Sequence, residues 1–178
     1  NRVLTTTERE QIGTYLGLKY GQSLGHDYKD SAGTIVWDVG ASGGFDNDIA
    51  GIGRDDASSL YQKQSHSVEV DDIVTMGLGS IALSNAANAA TIGGDKRFFI
   101  WGNNNLATTA SVTITPPAAT NATHRLARIW KVKETGSIGS MKVAVDSGSV
   151  GNGGPVYLVV SADATFDASD TWKLMLPE

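Results

Sequence analysis

The sequence predicts a mainly β protein, an antiparallel β-sandwich with one short helix near the N-terminus. Three observations support this prediction: one helical pattern before residue 21, a series of short β-rich runs after residue 32, and turn-forming segments between those runs. Charged residues make up 19% of the chain and glycines number 21, which is more typical of strands and turns than of long helices. One helix beside many strands favours a sandwich over alternating βαβ units.

The helical pattern begins near Thr7, which precedes Glu10 by three residues, as in a capping box. Gly21 then provides a stop signal. Gly13 and Gly17 each cost a helix about 1 kcal/mol unless they permit close packing. We therefore expect one short amphipathic helix that docks on a sheet through a single face. The residues that share this face at 3.6-residue spacing are Ile12, Tyr15, Leu16, Lys19 and Tyr20.

Runs rich in β-branched and aromatic residues follow, separated by Gly, Asn or Pro. Segment 85–88 is either a loop or a helical turn, and residues 1–178 are expected to form a single domain. The four tryptophans are expected to pack in the core, with stacking on sugar rings as the alternative. The predicted strands are 34–38, 49–52, 67–70, 73–78, 98–101, 110–114, 127–134, 141–145 and 156–160. The tryptophans in or beside them are Trp37, Trp101, Trp130 and Trp172.

Composition excludes several classes of function. The net charge of −5 argues against nucleic-acid binding, which depends on Lys and Arg contacts to phosphates. The chain contains no cysteine, which excludes disulfides, thiolate zinc sites and a cysteine nucleophile. The chain contains no run of 18 apolar residues, so no segment of it is predicted to insert in a membrane as a helix. Because the chain begins at Asn1 without a leader pattern, we expect a module cut from a larger exported protein.

Four carboxylates lie in one short segment, at Asp46, Asp48, Asp55 and Asp56. Carboxylate oxygens are ligands that Ca²⁺ prefers. Acids this close repel one another unless a cation or Arg54 lies among them. The segment therefore predicts a Ca²⁺ site, although its spacing is not that of an EF-hand loop. The alternative interpretation is a set of solvated turn residues.

The same segment offers three ways to bind a carboxylate group. These are the guanidinium of Arg54, backbone N–H groups of Gly51 and Gly53, and a bound cation. The alternative for Arg54 is a structural ion pair with a neighbouring aspartate. Amide side chains that could pair with a peptide backbone or with sugar hydroxyls are Gln62, Gln64, Asn103 and Asn104. Exposed strand edges and turns explain these amides equally well.

Catalytic patterns are absent from the sequence. His26, His66 and His124 fit no HExxH spacing and have no GxSxG partner. A retaining glycosidase needs two carboxylates about 5–5.5 Å apart, and the acidic segment has no obvious apolar pocket that would raise a pKa. We therefore predict a protein that is not an enzyme.

Several segments occur in an order that is typical of one family. They are residues 15–21, 28–38, 47–56, 62–65, 99–104, 128–132 and 159–166, of which Ile-Ala-Gly-Ile-Gly-Arg-Asp-Asp at 49–56 is the most specific. Over roughly residues 10–172 the chain resembles the calcium-dependent peptide-binding domain of giant repeats-in-toxin (RTX) adhesins of Gram-negative bacteria. The resemblance implies a β-sandwich, bound Ca²⁺ and recognition of the free C-terminus of a host-surface protein or peptide.

We therefore expect a monomeric, Ca²⁺-dependent adhesion module on the extracellular bacterial surface, of the kind that takes part in biofilms. Ca²⁺ and Arg54 would neutralise the terminal carboxylate of the ligand, and amides of Gln62, Gln64 and Asn103 would pair with its backbone. One alternative is a Ca²⁺-dependent carbohydrate-binding (lectin-like) module. Another is a structural spacer of an adhesin that binds no ligand.

Overall fold

The computed structural model describes residues 2–150, 154–163 and 165–177, and it is built mainly from antiparallel strands. The helices are α1 (Thr6–Tyr20) and the one-turn α2 (Ser147–Val150). The strands are β1 (Tyr28–Lys29), β2 (Ile35–Trp37), β3 (Asn47–Asp55), β4 (Leu60–Gln62), β5 (Gln64–His66), β6 (Val74–Leu78), β7 (Arg97–Asn103), β8 (Ala110–Thr113), β9 (His124–Leu126), β10 (Trp130–Thr135), β11 (Met141–Val145), β12 (Val156–Val160) and β13 (Thr171–Met175). The predicted fold class, a mainly β sandwich-type architecture with an N-terminal helix, is confirmed.

The chain divides into two compact units, whereas the sequence predicts a single domain. The first unit contains Asn1–Asn105 and Trp130–Val145. It holds a four-stranded sheet in the order β10-β7-β3-β4, a three-stranded sheet in the order β11-β6-β5, and the β1–β2 hairpin. The second unit contains Leu106–Ile129 and Asp146–Glu178, with the pairs β8–β9 and β12–β13.

Helix α1 is bounded by a cap at each end, and the N-cap lies two residues before the predicted position. Thr5 is the N-cap, because its hydroxyl accepts a hydrogen bond from the Glu8 N–H at 3.2 Å. The Glu8 carboxylate in turn accepts one from the Thr5 N–H at 2.8 Å, which completes a capping box. The Thr-x-x-Glu pattern occurs twice, at Thr5–Glu8 and at Thr7–Glu10. The prediction of Thr7 as the N-cap was wrong, because the first copy forms the cap. Gly21 ends the helix in the left-handed region, at a φ of 65°.

The face through which α1 docks differs from the predicted one. Thr14, Gly17 and Leu18 are buried. Predicted face residues remain substantially exposed, with Ile12 at 48%, Leu16 at 42% and Tyr20 at 58%. The physical reason is close packing of the Leu18 side chain on β3. A Cβ at Gly51 of β3 would lie 2.6 Å from Leu18 Cδ2, so the missing side chain of Gly51 makes room for Leu18.

The core of the first unit lies between α1, the β1–β2 hairpin and the four-stranded sheet. Its fully packed members are Leu18, Tyr28, Val36, Trp37, Ile49, Leu60, Phe98 and Ile100. The predicted burial of tryptophan is confirmed for Trp37 and Trp101, and Trp130 and Trp172 are half-buried. None of the helices in the described part of the chain has the length and apolar character needed to span a bilayer.

Candidate functional site

The four predicted metal ligands lie in two pairs at opposite ends of β3. Asp48 is near the start of this strand and Asp55 is its last residue. At about 3.3 Å per residue the two are about 20 Å apart, so they cannot bind one ion together. Among the described residues, no group of three or more His, Cys, Asp or Glu side chains is arranged to hold a metal. A Ca²⁺ site would therefore use one pair together with amide or backbone oxygens.

Asp55 fixes the hairpin loop to the end of β3. Its side chain is only 2% exposed. One carboxylate oxygen accepts a hydrogen bond from the Ser31 N–H at 2.7 Å, and the other accepts one from the Ser31 hydroxyl at 2.6 Å. The two hydrogen bonds offset part of the cost of burying the charge. They assign Asp55 a structural role in holding the loop after β1.

Arg54 forms the structural ion pair that was the alternative to ligand binding. Its Nε and Nη2 donate to the two carboxylate oxygens of Asp56 at 2.7 and 3.0 Å. Its Nη1 donates to the carbonyl of Ile92 at 3.0 Å. The hydrogen-bonded Asp56 carboxylate raises the pKa of Arg54 above its usual value. The guanidinium is thus occupied on its forked side by a carboxylate of the same chain.

Gly51 and Gly53 are regular ladder residues of β3. They pair with Ile100 and Phe98 of β7. A Cβ at Gly53 would lie 2.5 Å from Phe98 Cδ1. The glycines therefore permit close packing of neighbouring side chains, and their extended, paired backbone is not an anion-binding nest.

The two glutamines belong to separate short strands, β4 and β5. Gln62 Nε2 donates to the carbonyl of Gln64 at 2.7 Å. Gln64 Nε2 donates to the Ala82 carbonyl at 2.8 Å, and Gln64 Oε1 accepts from the Ala82 N–H at 2.8 Å. This two-point contact with the backbone replaces a missing strand neighbour and fastens the loop after β6. The amide of Gln64 therefore pairs with a peptide backbone, as predicted for a ligand, but the backbone is that of Ala82 in the same chain.

The remaining candidates meet where β3 begins and β7 ends, at a place here named the β3 corner, formed by Asp46, Asp48, Asn103 and Asn104. The buried Asn103 donates from Nδ2 to Asp48 Oδ2. Asp48 is 5% exposed and has a left-handed backbone, with a φ of 49°. Asn47 pairs with Asn103 in the ladder, which places the preceding Asp46 at the same corner.

Asp46 carries the most distinctive atom of the β3 corner. Its Oδ1 is buried and has no hydrogen-bond partner among the described residues. Buried acceptors in native proteins nearly always have a partner, whether protein, ordered water or ion. Leaving a charged group unpaired costs about 1–3 kcal/mol or more. The Asp46 oxygen therefore marks a position that favours a donor or a cation.

Three indole N–H groups near this part of the sheet are also buried and lack a partner among the described residues: those of Trp37, Trp101 and Trp130. Trp130 pairs with Asn103 in the β10–β7 ladder. The Trp37 ring lies close to the backbone of β7, because a Cβ at Gly102 would be 3.3 Å from Trp37 Cζ2. Unused hydrogen-bonding capacity is thus concentrated around the end of β7.

Asp72 is a further acid near Asp48 that sequence reasoning did not select. Its carboxylate accepts hydrogen bonds from the N–H groups of Ser67 at 2.8 Å and Val74 at 3.2 Å. Burial raises the pKa of Asp72 above its usual range, and the negative charge of Asp48 adds to the rise. The available signal was an Asp-Asp pair directly before a strand, at residues 71–72.

A family model described as "Domain of unknown function (DUF8202)" matches residues 8–177 of the chain. The match includes segments of both compact units. No curated protein and no solved structure matches the chain.

Proposed function

The chain belongs to the family of domains of unknown function DUF8202, and we propose that it is a non-catalytic, Ca²⁺-dependent module that captures the free C-terminus of a peptide or protein. The observation that supports this proposal most is the buried, unpartnered Oδ1 of Asp46 at the β3 corner. The resemblance to RTX adhesins supports a place on the extracellular bacterial surface and a ligand on a host cell.

The β3 corner offers the type of oxygen that Ca²⁺ prefers. Ca²⁺ takes six to eight oxygens, usually from a mixture of carboxylates, carbonyls and water. Asp46 and Asp48 supply carboxylates, and amide and backbone carbonyl oxygens around Asn103 and Asn104 supply neutral ligands. A cation placed here would meet the unpaired Asp46 oxygen and reduce repulsion between the acids.

In this proposal the Ca²⁺ ion alone, without Arg54, neutralises the terminal carboxylate of the ligand. The guanidinium of Arg54 is paired with Asp56 at the opposite end of β3, so it lies away from the proposed Ca²⁺ site. A Ca²⁺ ion with one open coordination position would bind that carboxylate and reject an internal peptide segment, which has none. Trp37 and Trp101 are buried and Trp130 and Trp172 are half-buried, so tryptophan offers the lectin alternative only a small stacking surface.

The first test is calorimetric titration of the chelated protein with Ca²⁺. We expect binding by the native chain and a loss of at least about tenfold in affinity for Asp46→Asn and Asp48→Asn, because each removes one ligand charge. Asp56→Asn is the matched control, since it lies in the same acidic segment but pairs with Arg54. Equal Ca²⁺ binding by all four proteins would place the ion elsewhere, and no binding would remove the metal from the proposal.

The second test separates cation binding from ligand capture. A pool of free-acid peptides, its amidated twin and a glycan array are applied with Ca²⁺ saturating, and melting temperature is measured. A ligand that binds only the folded state raises that temperature. A rise with free acids alone supports capture of a C-terminus. A rise with glycans alone supports the carbohydrate alternative, and no rise with any ligand supports the spacer alternative.

A further inference from the structure

A cavity of about 250 Å³ opens beside α1, at the end of β3 remote from the β3 corner. Its apolar wall contains Tyr15, Leu60 and Phe98, of which the last two are buried members of the core. Its polar wall contains Lys29 and Asp55. Engineered cavities of about 150 Å³ bind benzene, so this cavity has room for a phenyl ring or a branched alkyl group and a short polar end.

The charges around the cavity do not balance. Lys29 is neutralised by Glu10, because its ammonium lies 2.7 Å from the Glu10 carboxylate. Asp55 makes its two hydrogen bonds to Ser31 but forms no ion pair with any Lys, Arg or His of the described residues. A residual negative charge thus lies in the wall, on a side chain that is 2% exposed.

The nearby Lys96 does not correct this imbalance. Its ammonium lies 3.1 Å from the carboxylate of Asp95, and that contact is the main cause of the raised pKa of Lys96. The charge of Asp55 contributes less to the same rise. A buried carboxylate without a counter-ion favours a cation that reaches it, and the cavity provides open space beside Asp55.

We propose that this cavity binds an organic ammonium ion that carries an apolar group. The cationic end lies against Asp55, and the apolar group lies against Tyr15, Leu60 and Phe98. A bare divalent ion is a poorer match, because the cavity wall supplies only one carboxylate and a largely apolar surface. The same chemistry occurs in a free aryl-alkyl amine and in a peptide N-terminus whose first side chain is apolar.

The test is a two-dimensional NMR titration of ¹⁵N-labelled protein in the presence of a chelator, so that its outcome is independent of the proposed Ca²⁺ site. The probes are 2-phenylethylammonium and 3-phenylpropionate, which match in size and differ in charge. We expect the ammonium ion to shift the amide resonances of Tyr15, Leu60 and Phe98 and the carboxylate ion to leave them unchanged. Equal shifts with both ions, or none with the ammonium ion, would overturn the proposal.

Two variants locate the site. Ala57→Leu adds bulk to a residue that lines the cavity and removes no hydrogen bond, so we expect at least about a tenfold loss of affinity. Ala86→Leu, at an exposed loop residue outside the cavity, is the control. Asp55→Asn should weaken binding by a similar factor while Asp56→Asn does not. Unchanged affinity in Ala57→Leu would place the ligand elsewhere, even if Asp55→Asn failed to fold.

A second pair of probes distinguishes the two sources of the ligand. Phe-Gly-Gly-amide has a free N-terminal ammonium, and its N-acetylated form has none. Binding of the free peptide as tightly as 2-phenylethylammonium supports a peptide N-terminus. Binding of the small amine alone supports a free amine. Binding of the acetylated peptide would contradict the role of the ammonium group.

Discussion

At the scale of single residues, the neighbouring acids Asp55 and Asp56 show how environment decides what a carboxylate does. Asp55 is buried and accepts two hydrogen bonds from Ser31. Asp56 is exposed and pairs with Arg54. Exposed ion pairs contribute about 0–1 kcal/mol, whereas removing a buried acceptor leaves its donors unpaired at the full desolvation cost.

We therefore expect Asp55→Ala to lower the free energy of unfolding by about 2–3 kcal/mol. Asp56→Ala should lower it by less than about 1 kcal/mol. Urea unfolding of both variants beside the native chain measures the difference. Equal losses would mean that the Ser31 contacts do not contribute to stability in solution.

Asp72 predicts a dependence of stability on pH. Burial and the charge of Asp48 raise its pKa in the folded state above the usual value of 3.8, so the folded protein holds this proton more tightly than the unfolded chain. Stability from this group is therefore greatest below the unfolded pKa and falls as pH rises through the folded pKa. Asp72→Asn cannot ionise, so it should lose this decline. Urea unfolding of the native chain and of Asp72→Asn, measured in chelator at a series of pH values above 3.8, checks this prediction. Parallel pH profiles of the free energy of unfolding for the two proteins would contradict it.

At the scale of elements, the contact between α1 and β3 depends on glycine. Gly51 lies under Leu18, and an added Cβ would approach Leu18 Cδ2 to 2.6 Å and Ile100 Cγ1 to 3.0 Å. Contacts this short force side chains or backbone to move, because protein interiors are already close-packed. A larger residue here would force the side chains of Leu18 and Ile100 to shift from their packed positions.

We expect Gly51→Ala to lower the free energy of unfolding by about 1–3 kcal/mol. Gly25→Ala is the control, because a Cβ there meets no atom within 4 Å. Combining Gly51→Ala with Leu18→Ala should give a smaller loss than the sum of the single variants, since the shorter side chain at residue 18 removes the clash with the added Cβ. Thermal unfolding of the native chain, the two single variants and the double variant tests this. Strict additivity would show that the two residues do not compete for the same space.

The sequence predicted strands correctly where an apolar, β-rich run was long enough to show a pattern. The predicted strands 141–145 and 156–160 agree with β11 and β12 at both ends. The predicted strand 67–70 is wrong, because the strand lies at Gln64–His66 and is too short and polar to show a period. The strands β1, β4, β9 and β13 were missed. Of these, β1, β4 and β9 have only two or three residues. Strands this short form because a partner is nearby, and a partner is invisible in a local pattern. The five-residue β13 is not explained in this way.

The candidate site was only partly predictable for a related reason. Four acids within eleven residues, from Asp46 to Asp56, look like a cluster in the sequence. In an extended strand, however, each residue adds about 3.3 Å of length. The two pairs of acids therefore lie at opposite ends of β3. What the sequence could not show was the contact of Asp48 with Asn103, which are 55 residues apart. Nor could it show the approach of Asp72 to Asp48.

At the scale of the whole molecule, the apolar core lies in one of the two compact units. Among the described residues, every buried apolar side chain except Ile114 belongs to the first unit. The second unit contains two-stranded pairs, which are marginally stable by themselves. The energy needed to open the backbone should therefore differ between the units.

We expect amide hydrogen exchange to be slowest in β3 and β7, each of which is paired on both sides. Exchange should be faster in β8, β9, β12 and β13, whose described pairings are one-sided. Exchange followed by mass spectrometry of peptide fragments measures this directly. Equal protection of the two groups of strands would indicate that the chain opens only as a single cooperative body.

The length of β3 has a consequence for ligand size. One of its ends carries the β3 corner, proposed for a carboxylate held through Ca²⁺, and the other carries the cavity, proposed for an ammonium ion. A linear peptide has both groups, one at each terminus. Because an extended peptide advances by the same 3.3 Å or so per residue as the strand, a peptide shorter than about seven residues is too short to occupy both places at once. Longer peptides would bind with avidity, since engagement of one terminus raises the effective concentration of the other.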